Sequence, residues 1–401
     1  MNVDNICIGC MREKPDHQSV CPYCGFDAAN YMIRSHHLEP YTILNAKYLL
    51  GRVLGEGGFG ITYVALDLEK NQRVAIKELF VAGLLKRENT RTVLLDSSMN
   101  GRAFYNECKA KFIQEATLLQ ALGDKKGVVD IYQFFEENST AYIVMEFLEG
   151  QDLLLFLKSR GGKIPFEEAF FLLRPVMKSL MEMHAVGVYH RDISPDNVRY
   201  LRNHQVKIMD LGGAKYLHRE GPGLEKVVSH LVMVKHGYAP PEQYVTGYKI
   251  GPWMDVYAMG ATFYRCITGS APPESTVRVA NDELILPSKM GVSIKPEVEK
   301  VLMKALALTP EERYTDMREF YIALKAAAGD LARTIPVTPP ISNGTGLGNS
   351  SHSVMIQKQP GYDELLKDIK NDGGGKEQIP MIIGIGLIVV LAFVWFVTNY
   401  V

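Results

Sequence analysis

Three oxygen-bearing side chains are closely spaced in the middle of the chain. Asp192 and Asn197 lie in the run HRDISPDN at residues 190–197, and Asp210 follows thirteen positions after Asn197. Phosphoryl transfer requires one group that orients the attacking hydroxyl and two groups that hold magnesium against the nucleotide phosphates. The residue types and their spacing make these three side chains candidates for those roles.

A glycine cluster lies upstream of this run. Gly55, Gly57 and Gly60 form a GxGxxG pattern, and Lys77 follows in the sequence Val-Ala-Ile-Lys. Strand-like sequence lies on both sides of the glycines, whereas a dinucleotide-binding Rossmann turn would open into a helix. Because glycines carry no side chain, the backbone N–H groups of such a loop can approach phosphates closely.

The motifs resemble those of the protein kinases, in which a glycine-rich loop, a VAIK strand, a catalytic loop and a metal loop follow one another in the same order. The metal loop here reads DLG in place of DFG. The resemblance implies that Lys77 holds the α and β phosphates of ATP and that Asp192 orients the substrate hydroxyl. It also implies that Asn197 and Asp210 bind Mg²⁺ or Mn²⁺.

Two further features of the nucleotide site follow from the resemblance. A helix with apolar residues at helical spacing places Glu115 as the ion-pair partner of Lys77, with Glu107 as the alternative. The run MEFLEG resembles the hinge between two lobes, in which backbone groups of Glu146 and Leu148 face the adenine edge.

The matching motifs continue as far as about residue 327, with Glu242, Asp255 and Arg313 at positions where the family has structural ion pairs and braces. The resemblance implies an α+β fold, the bilobal protein kinase fold, with a small β-rich N-lobe and a larger helical C-lobe over residues 48–330. Strands are predicted at 48–54, 62–66, 73–78 and 141–147, and helices at 112–122, 153–158, 166–186, 255–268, 296–307 and 316–327.

One position departs from the serine/threonine kinase pattern. Where those kinases usually carry a Lys two residues after the catalytic Asp, this chain has Ser194. Lys235 stands where the family has a Thr that contacts that lysine. We therefore hypothesise that the two residue types are exchanged and that Lys235 supplies the positive charge to the γ-phosphate, the alternative being an ordinary surface lysine.

Four of the six cysteines lie near the start of the chain, in two CxxC pairs formed by Cys7, Cys10, Cys21 and Cys24. Four thiolates at this spacing can close around one Zn²⁺, so residues 1–30 are predicted to form a zinc ribbon with a structural, not catalytic, ion. The competing interpretation is a redox CxxC motif, which would require one pair within a βαβ unit.

Residues 331–378 are rich in Pro, Gly, Ser and Asn and are predicted to form a flexible linker. Residues 379–398 are predicted to form one transmembrane helix. The nineteen uncharged residues at 379–397 would extend about 28 Å as a helix, close to the thickness of a hydrocarbon core. A buried core helix is the alternative. The expected location is the cell membrane, single-pass, with the N-terminus and kinase domain in the cytoplasm.

The chain as a whole resembles a bacterial eukaryotic-like (Hanks-type) serine/threonine kinase, which implies protein substrates. The rival hypothesis is a pseudokinase that binds nucleotide and recruits a protein partner through the zinc ribbon. With 44 basic and 45 acidic residues, no nucleic-acid binding is expected. Ser229 is the only Ser or Thr between Gly212 and Gly237, and it is therefore a candidate phosphorylation site.

Overall fold

The structure, a computed structural model, describes residues 5–329 apart from short gaps and one longer gap, at 16–17, 88–89, 96–98, 122, 124–125, 210–234 and 246–247. Asp210, Ser229, the predicted linker and the predicted transmembrane span lie outside the described residues. Within the described part of the chain, no helix combines the length and apolar character needed to cross a membrane.

A six-stranded antiparallel sheet forms the N-lobe, in the order β1-β2-β3-β4-β8-β7. Most neighbouring strands of this sheet are consecutive in the sequence and pair as antiparallel hairpins. A short two-stranded hairpin, β5-β6, is inserted after β4. The bounds are β1 Ile43–Leu44, β2 Tyr48–Gly57, β3 Gly60–Asp67, β4 Gln72–Leu79, β5 Leu85–Lys86, β6 Leu94–Leu95, β7 Ile131–Glu137 and β8 Thr140–Glu146.

The N-lobe helix is longer than the apolar pattern indicates. Helix α1 spans Met99–Ala121, whereas the sequence predicts a start near residue 112. In the earlier part of the helix, Phe104, Tyr105 and Cys108 are buried against the sheet. Polar residues between these three obscure the helical period of apolar residues in the sequence. The early turns of the helix are stabilised because these three side chains are buried against the sheet.

The C-lobe is mainly helical. Its core is built where α3, α4, α6 and α7 pack together, and it buries a continuous apolar cluster. The helices are α2 Leu153–Ser159, α3 Phe166–Ala185, α4 Trp253–Thr268, α5 Ser275–Ala280, α6 Pro296–Ala305 and α7 Met317–Ala328. The predicted helices of this lobe agree with these bounds to within two residues at each end.

A small sheet, in the order β11-β10-β9, lies at the start of the C-lobe. Its strands are β9 Gly150–Asp152, β10 Val198–Leu201 and β11 Val206–Ile208. The candidate catalytic loop at 190–197 connects α3 to β10, and β11 leads directly to Asp210. The pairing of Val198 with Ile208 holds the chain shortly before Asp210 beside the end of the catalytic loop.

The cysteine-rich segment packs on the N-lobe. Ile6 and Met11 form a buried apolar cluster with Leu49 of β2 and with Val64 and Leu66 of β3. The backbone N–H of Arg52 also donates a hydrogen bond to the carbonyl of Ile8 over 2.8 Å. The segment is therefore part of the N-lobe surface.

Candidate active site

Asp255, in the first turn of α4, fixes the shape of the catalytic loop. Its buried carboxylate accepts hydrogen bonds from the backbone N–H groups of His190, at 2.8 Å, and Arg191, at 2.6 Å. His184 Nε2 lies 2.8 Å from the same carboxylate. Burial alone would raise the pKa of Asp255, but these hydrogen bonds outweigh it and the pKa is lowered. An ionised carboxylate therefore holds Arg191 in its left-handed conformation, at φ +63°.

Asn197 holds the side chain of Asp192 in place. Its Nδ2 donates to the Asp192 carbonyl and to Asp192 Oδ2, each over 2.7 Å. The Asn197 carbonyl accepts from the N–H of Met209 over 2.9 Å, and Met209 O lies 3.1 Å from His190 Nε2. The residue preceding Asp210 is thus held beside the catalytic loop.

Lys235 lies against the catalytic loop. Its ammonium donates to Ser194 Oγ over 2.8 Å and lies 2.7 Å from Asp196 Oδ2 and 3.7 Å from Asp192 Oδ1. Burial would raise the pKa of Asp196, but the lysine charge outweighs it and the pKa is lowered. The structure therefore places a positive charge at the loop position that lacks the usual lysine.

The segment that follows Lys235 is anchored to both the catalytic loop and the C-lobe. Gln243 Nε2 donates to the Arg191 carbonyl over 2.9 Å. Glu242 forms a buried two-point ion pair with Arg313, at 2.5 and 2.9 Å. Breaking one partner of such a pair leaves an uncompensated buried charge, so this anchor is energetically important.

Across the sheet, Lys77 of β4 pairs with Thr62 of β3, and the two side chains share one face. A Cβ added at Gly60 would lie 2.6 Å from the carbonyl of Glu78 and 3.4 Å from Lys77 Cε, so only glycine fits there. At Gly55 and Gly57 a Cβ would meet no atom within 4 Å. The described residues leave open space beside Gly55 and Gly57, so packing does not require glycine at either position.

The two candidate partners of Lys77 differ in environment. Glu115 is buried on α1, whereas Glu107 is one-third exposed and pairs with Lys111 of the same helix over 2.8 Å. Since a buried carboxylate needs a charged or hydrogen-bonding partner more than an exposed one does, this difference favours Glu115.

The connection between the lobes carries Glu146 and Leu148. The backbone N–H of Glu146 donates to the Asp130 carbonyl over 2.9 Å, and its side chain accepts from Lys207 Nζ over 2.6 Å. Burial raises the pKa of Glu146 despite that lysine. The Leu148 carbonyl accepts from Arg199 Nε over 3.4 Å. These contacts tie the hinge to the C-lobe sheet.

Glu149, the next hinge residue, joins three parts of the protein. It pairs with Arg73 of β4 at 2.7 Å, with Arg12 of the cysteine-rich segment at 3.2 Å and with Arg202 between β10 and β11 at 3.1 Å. The hydrogen bond from Arg73 is the largest cause of its lowered pKa. Sequence reasoning missed this residue because one glutamate after a strand looks like a solvated charge.

The four N-terminal cysteines come together as a cluster. The Sγ atoms of Cys7 and Cys24, and those of Cys10 and Cys21, are 3.8 Å apart, and all four lie within 4.8 Å of one another. A tetrahedral zinc with Zn–S bonds of about 2.3 Å has S···S edges of about 3.8 Å. The arrangement fits a closed metal site with no open position for substrate.

Other residues at the site were also not found from the sequence. Asp196 lies within the HRDISPDN run, so its closeness to Lys235 could have been suspected. Glu78, beside Lys77, is fully buried and bonds with Arg87, Tyr63 and Tyr142, and burial raises its pKa. Nothing in the spacing of these four residues reveals that cluster.

A model of the protein kinase domain family matches residues 48–323. The chain is 29% identical over 313 residues to serine/threonine-protein kinase PknA of Nostoc sp., covering 75% of this chain and 51% of that protein. It is 30% identical over 287 residues to serine/threonine-protein kinase cds1 of Schizosaccharomyces pombe, covering 68% and 57%. It is 29% identical over 307 residues to serine/threonine-protein kinase PknB of Mycobacterium tuberculosis, covering 74% and 44%.

The chain therefore spans about half the length of the curated relatives it matches. Among solved structures, one described as the PpkA-294 apo form is similar, with 30% identity and a TM-score of 0.60, covering 73% of this chain and 100% of that one. The family match covers more than half of the chain and coincides with the bilobal fold and its central loop. The chain belongs to the protein kinase domain family.

Proposed function

We propose that this protein is an ATP-dependent serine/threonine protein kinase. The observation that carries the proposal is the arrangement of Asp192, Asn197 and Lys235: Asn197 Nδ2 donates to the Asp192 carboxylate and to its backbone carbonyl, and an ammonium lies 3.7 Å from that carboxylate. In the proposed site, Asp192 is the proton acceptor and Lys235 the positive charge beside the hydroxyl and the phosphate that react.

In the proposed reaction, the oxygen of a serine or threonine side chain attacks the γ-phosphorus of ATP. A bond forms between that oxygen and phosphorus, the bond to the β–γ bridging oxygen breaks, and ADP leaves. Asp192 orients the hydroxyl and accepts its proton. Lys235 stabilises the charge on the transferring group, taking the role that the resemblance assigns to the absent loop lysine.

Nucleotide binding is assigned to the N-lobe and hinge. Gly55, Gly57 and Gly60 let the backbone approach the phosphates, and Lys77, paired with Glu115, contacts the α and β phosphates. Backbone groups of the two hinge residues Glu146 and Leu148 contact the adenine.

The oxygen atoms of Asn197 and Asp210 are the groups that would hold Mg²⁺ or Mn²⁺, which neutralises phosphate charge when bound. Support comes from the hydrogen bonds that hold Met209 beside Asn197 and His190. These contacts bring the chain next to Asn197 immediately before Asp210.

The remaining parts are assigned from the sequence and the sulfur geometry. The cysteine cluster is proposed to hold a structural Zn²⁺ and to offer a surface to a protein partner. Residues 379–398 are proposed to anchor the chain in the cell membrane with the kinase domain in the cytoplasm, joined by the linker at 331–378. The hydropathy and length of the span support this anchor.

A pseudokinase is the alternative function. The presence of Lys77, Asp192, Asn197 and Asp210 together argues against it, because a protein that only binds nucleotide has no need of the group that orients the hydroxyl. The likeness to several serine/threonine kinases also favours the enzyme.

Transfer of radiolabel from [γ-³²P]ATP to the chain itself and to a generic protein acceptor tests the proposal. The intact chain is expected to transfer label, and Asp192→Asn and Asp210→Ala are expected to reduce transfer by at least about 10³-fold. Transfer by the intact chain no greater than that of both variants would contradict the proposal. Phosphoproteomics of cells with and without Asp210→Ala would then identify substrates.

A further inference from the structure

The glycine-rich loop is contacted by residues outside the kinase domain match. Glu56 lies between Gly55 and Gly57, and three side chains of the preceding segment reach its carboxylate. Arg34 Nη1 is 2.7 Å from Oε2, His36 Nε2 is 2.7 Å from Oε1 and His37 Nε2 is 3.1 Å from Oε2. We call residues 34–37 the latch segment. It precedes residue 48, where the family match begins.

The strand register shows from which side the latch segment holds the loop. Gly55 pairs with Thr62, which is paired in turn with Lys77, whereas Glu56 pairs with Ile61. Because successive residues of a strand point to opposite faces, Glu56 lies on the face opposite Lys77. The latch segment therefore contacts the loop on the face of the sheet opposite Lys77. Among the residues described, it does not contact the loop on the Lys77 face, where nucleotide is proposed to bind.

Buried groups fix the position of the latch segment. The N–H of His37 donates to the Arg34 carbonyl over 2.9 Å, which closes a turn. The His36 ring stacks on Phe80 with centroids 5.4 Å apart and meets the His37 ring edge-on at 4.6 Å. The His36 carbonyl accepts a hydrogen bond from Arg87, which is itself paired with buried Glu78. The imidazoles are thus held in place before they meet Glu56.

The contact involves charge as well as hydrogen bonding. Burial would raise the pKa of Glu56, but the hydrogen bonds from His36 and His37 lower it, so the carboxylate is ionised at neutral pH. Burial lowers the pKa of His37, so His37 acts as a neutral N–H donor. Two imidazoles and a carboxylate can also bind a divalent metal. The guanidinium of Arg34 on the same carboxylate disfavours that use because it would repel a cation.

We propose that Arg34, His36 and His37 are positioning residues for the nucleotide. By holding Glu56, they restrict the glycine-rich loop to a position over the phosphates, so that less loop entropy is lost when nucleotide binds. This inference rests on the proposed nucleotide-binding function. It makes the affinity for ATP dependent on a segment outside the kinase domain.

The test is a fluorescence titration of the full chain with an N-methylanthraniloyl derivative of ATP in the presence of Mg²⁺. Glu56→Ala and the double variant Arg34→Ala/His36→Ala are each expected to raise Kd about three- to tenfold. KM for ATP should rise in parallel, while kcat stays within about twofold. Combining all three substitutions should add little, because both sets of substitutions remove the same contact.

His204→Ala is the matched control. His204 lies between β10 and β11, and its Nδ1 is 2.7 Å from the hydroxyl of Tyr200 in β10. This variant should leave Kd unchanged. Melting temperatures close to that of the intact chain would show that the variants fold, and His37 is left intact because it is buried. If the intact chain binds nucleotide and Glu56→Ala binds it equally or more tightly, the proposed role of the latch segment is wrong, whereas the proposed kinase function is not contradicted. If the intact chain binds no nucleotide, both fail.

Discussion

The ammonium of Lys235 donates a hydrogen bond to the hydroxyl of Ser194 over 2.8 Å. In the resemblance to serine/threonine kinases, Ser194 stands where those kinases usually carry a lysine, and Lys235 stands where they have a threonine. The two residues meet in this structure, and we propose that Lys235 supplies the charge of the absent loop lysine.

Lys235→Ala is expected to lower kcat about a hundredfold, with a smaller effect on KM for ATP, because the lysine acts on charge that develops during transfer. Steady-state kinetics with a protein acceptor would measure both. The exposed lysine variant Lys249→Ala is the matched control and should retain full activity. The double change Ser194→Lys/Lys235→Thr restores the family residues and should recover part of the lost kcat. Full kcat in Lys235→Ala would refute the role.

Asp196→Asn is expected to lower kcat about three- to tenfold, because the carboxylate holds the Lys235 ammonium at 2.7 Å. Asp196 is expected to affect kcat only by positioning Lys235. The double variant Lys235→Ala/Asp196→Asn should therefore be no slower than Lys235→Ala alone. A double-mutant cycle on kcat measures this coupling. Additive losses would show that Asp196 acts independently of Lys235.

Asp255→Asn is expected to destabilise the fold by about 2 to 4 kcal/mol at pH 7, because two buried N–H groups lose an ionised acceptor. The folded pKa of Asp255 lies below its ordinary value. Its contribution is therefore complete above about pH 4 and is lost as pH falls through the folded pKa.

Urea unfolding of the intact chain and of Asp255→Asn at several pH values between 7 and 3 would measure this. The difference in unfolding free energy should shrink toward the acid end. Glu283→Gln, at an exposed position, is the control and should change stability by less than about 0.5 kcal/mol. A difference that grows as pH falls would contradict the assignment.

Cys21→Ser is expected to remove one bound zinc per chain and to lower the melting temperature. The reason is that Ile6 and Met11, which pack on the N-lobe sheet, lie in the segment that the metal would close. Zinc content and the thiolate-to-cobalt absorption of a Co²⁺-loaded sample would report the site directly. Cys108→Ala, in α1, should keep its zinc. Equal zinc content in the intact chain and Cys21→Ser would exclude the four-cysteine site.

The sequence by itself determined the family and most of the fold. The order of the glycine-rich loop, VAIK, HRD and DLG motifs indicated a bilobal kinase, and the predicted C-lobe helices agree closely with the observed ones. Short motifs and apolar periods are local, so they can be read without knowing how distant segments pack. The resemblance to serine/threonine kinases also suggested that Ser194 and Lys235 exchange the residue types of two positions that are in contact in that family.

Only the tertiary structure decided which distant charges meet. Arg12, Arg73 and Arg202 converge on Glu149, and the latch segment reaches Glu56 about twenty residues away. In the sequence each of these looks like a solvated surface residue, because a charged side chain carries no periodic signal of its partner. The pairing of the N-lobe strands and the docking of the cysteine-rich segment bring them together, and those are properties of packing rather than of spacing.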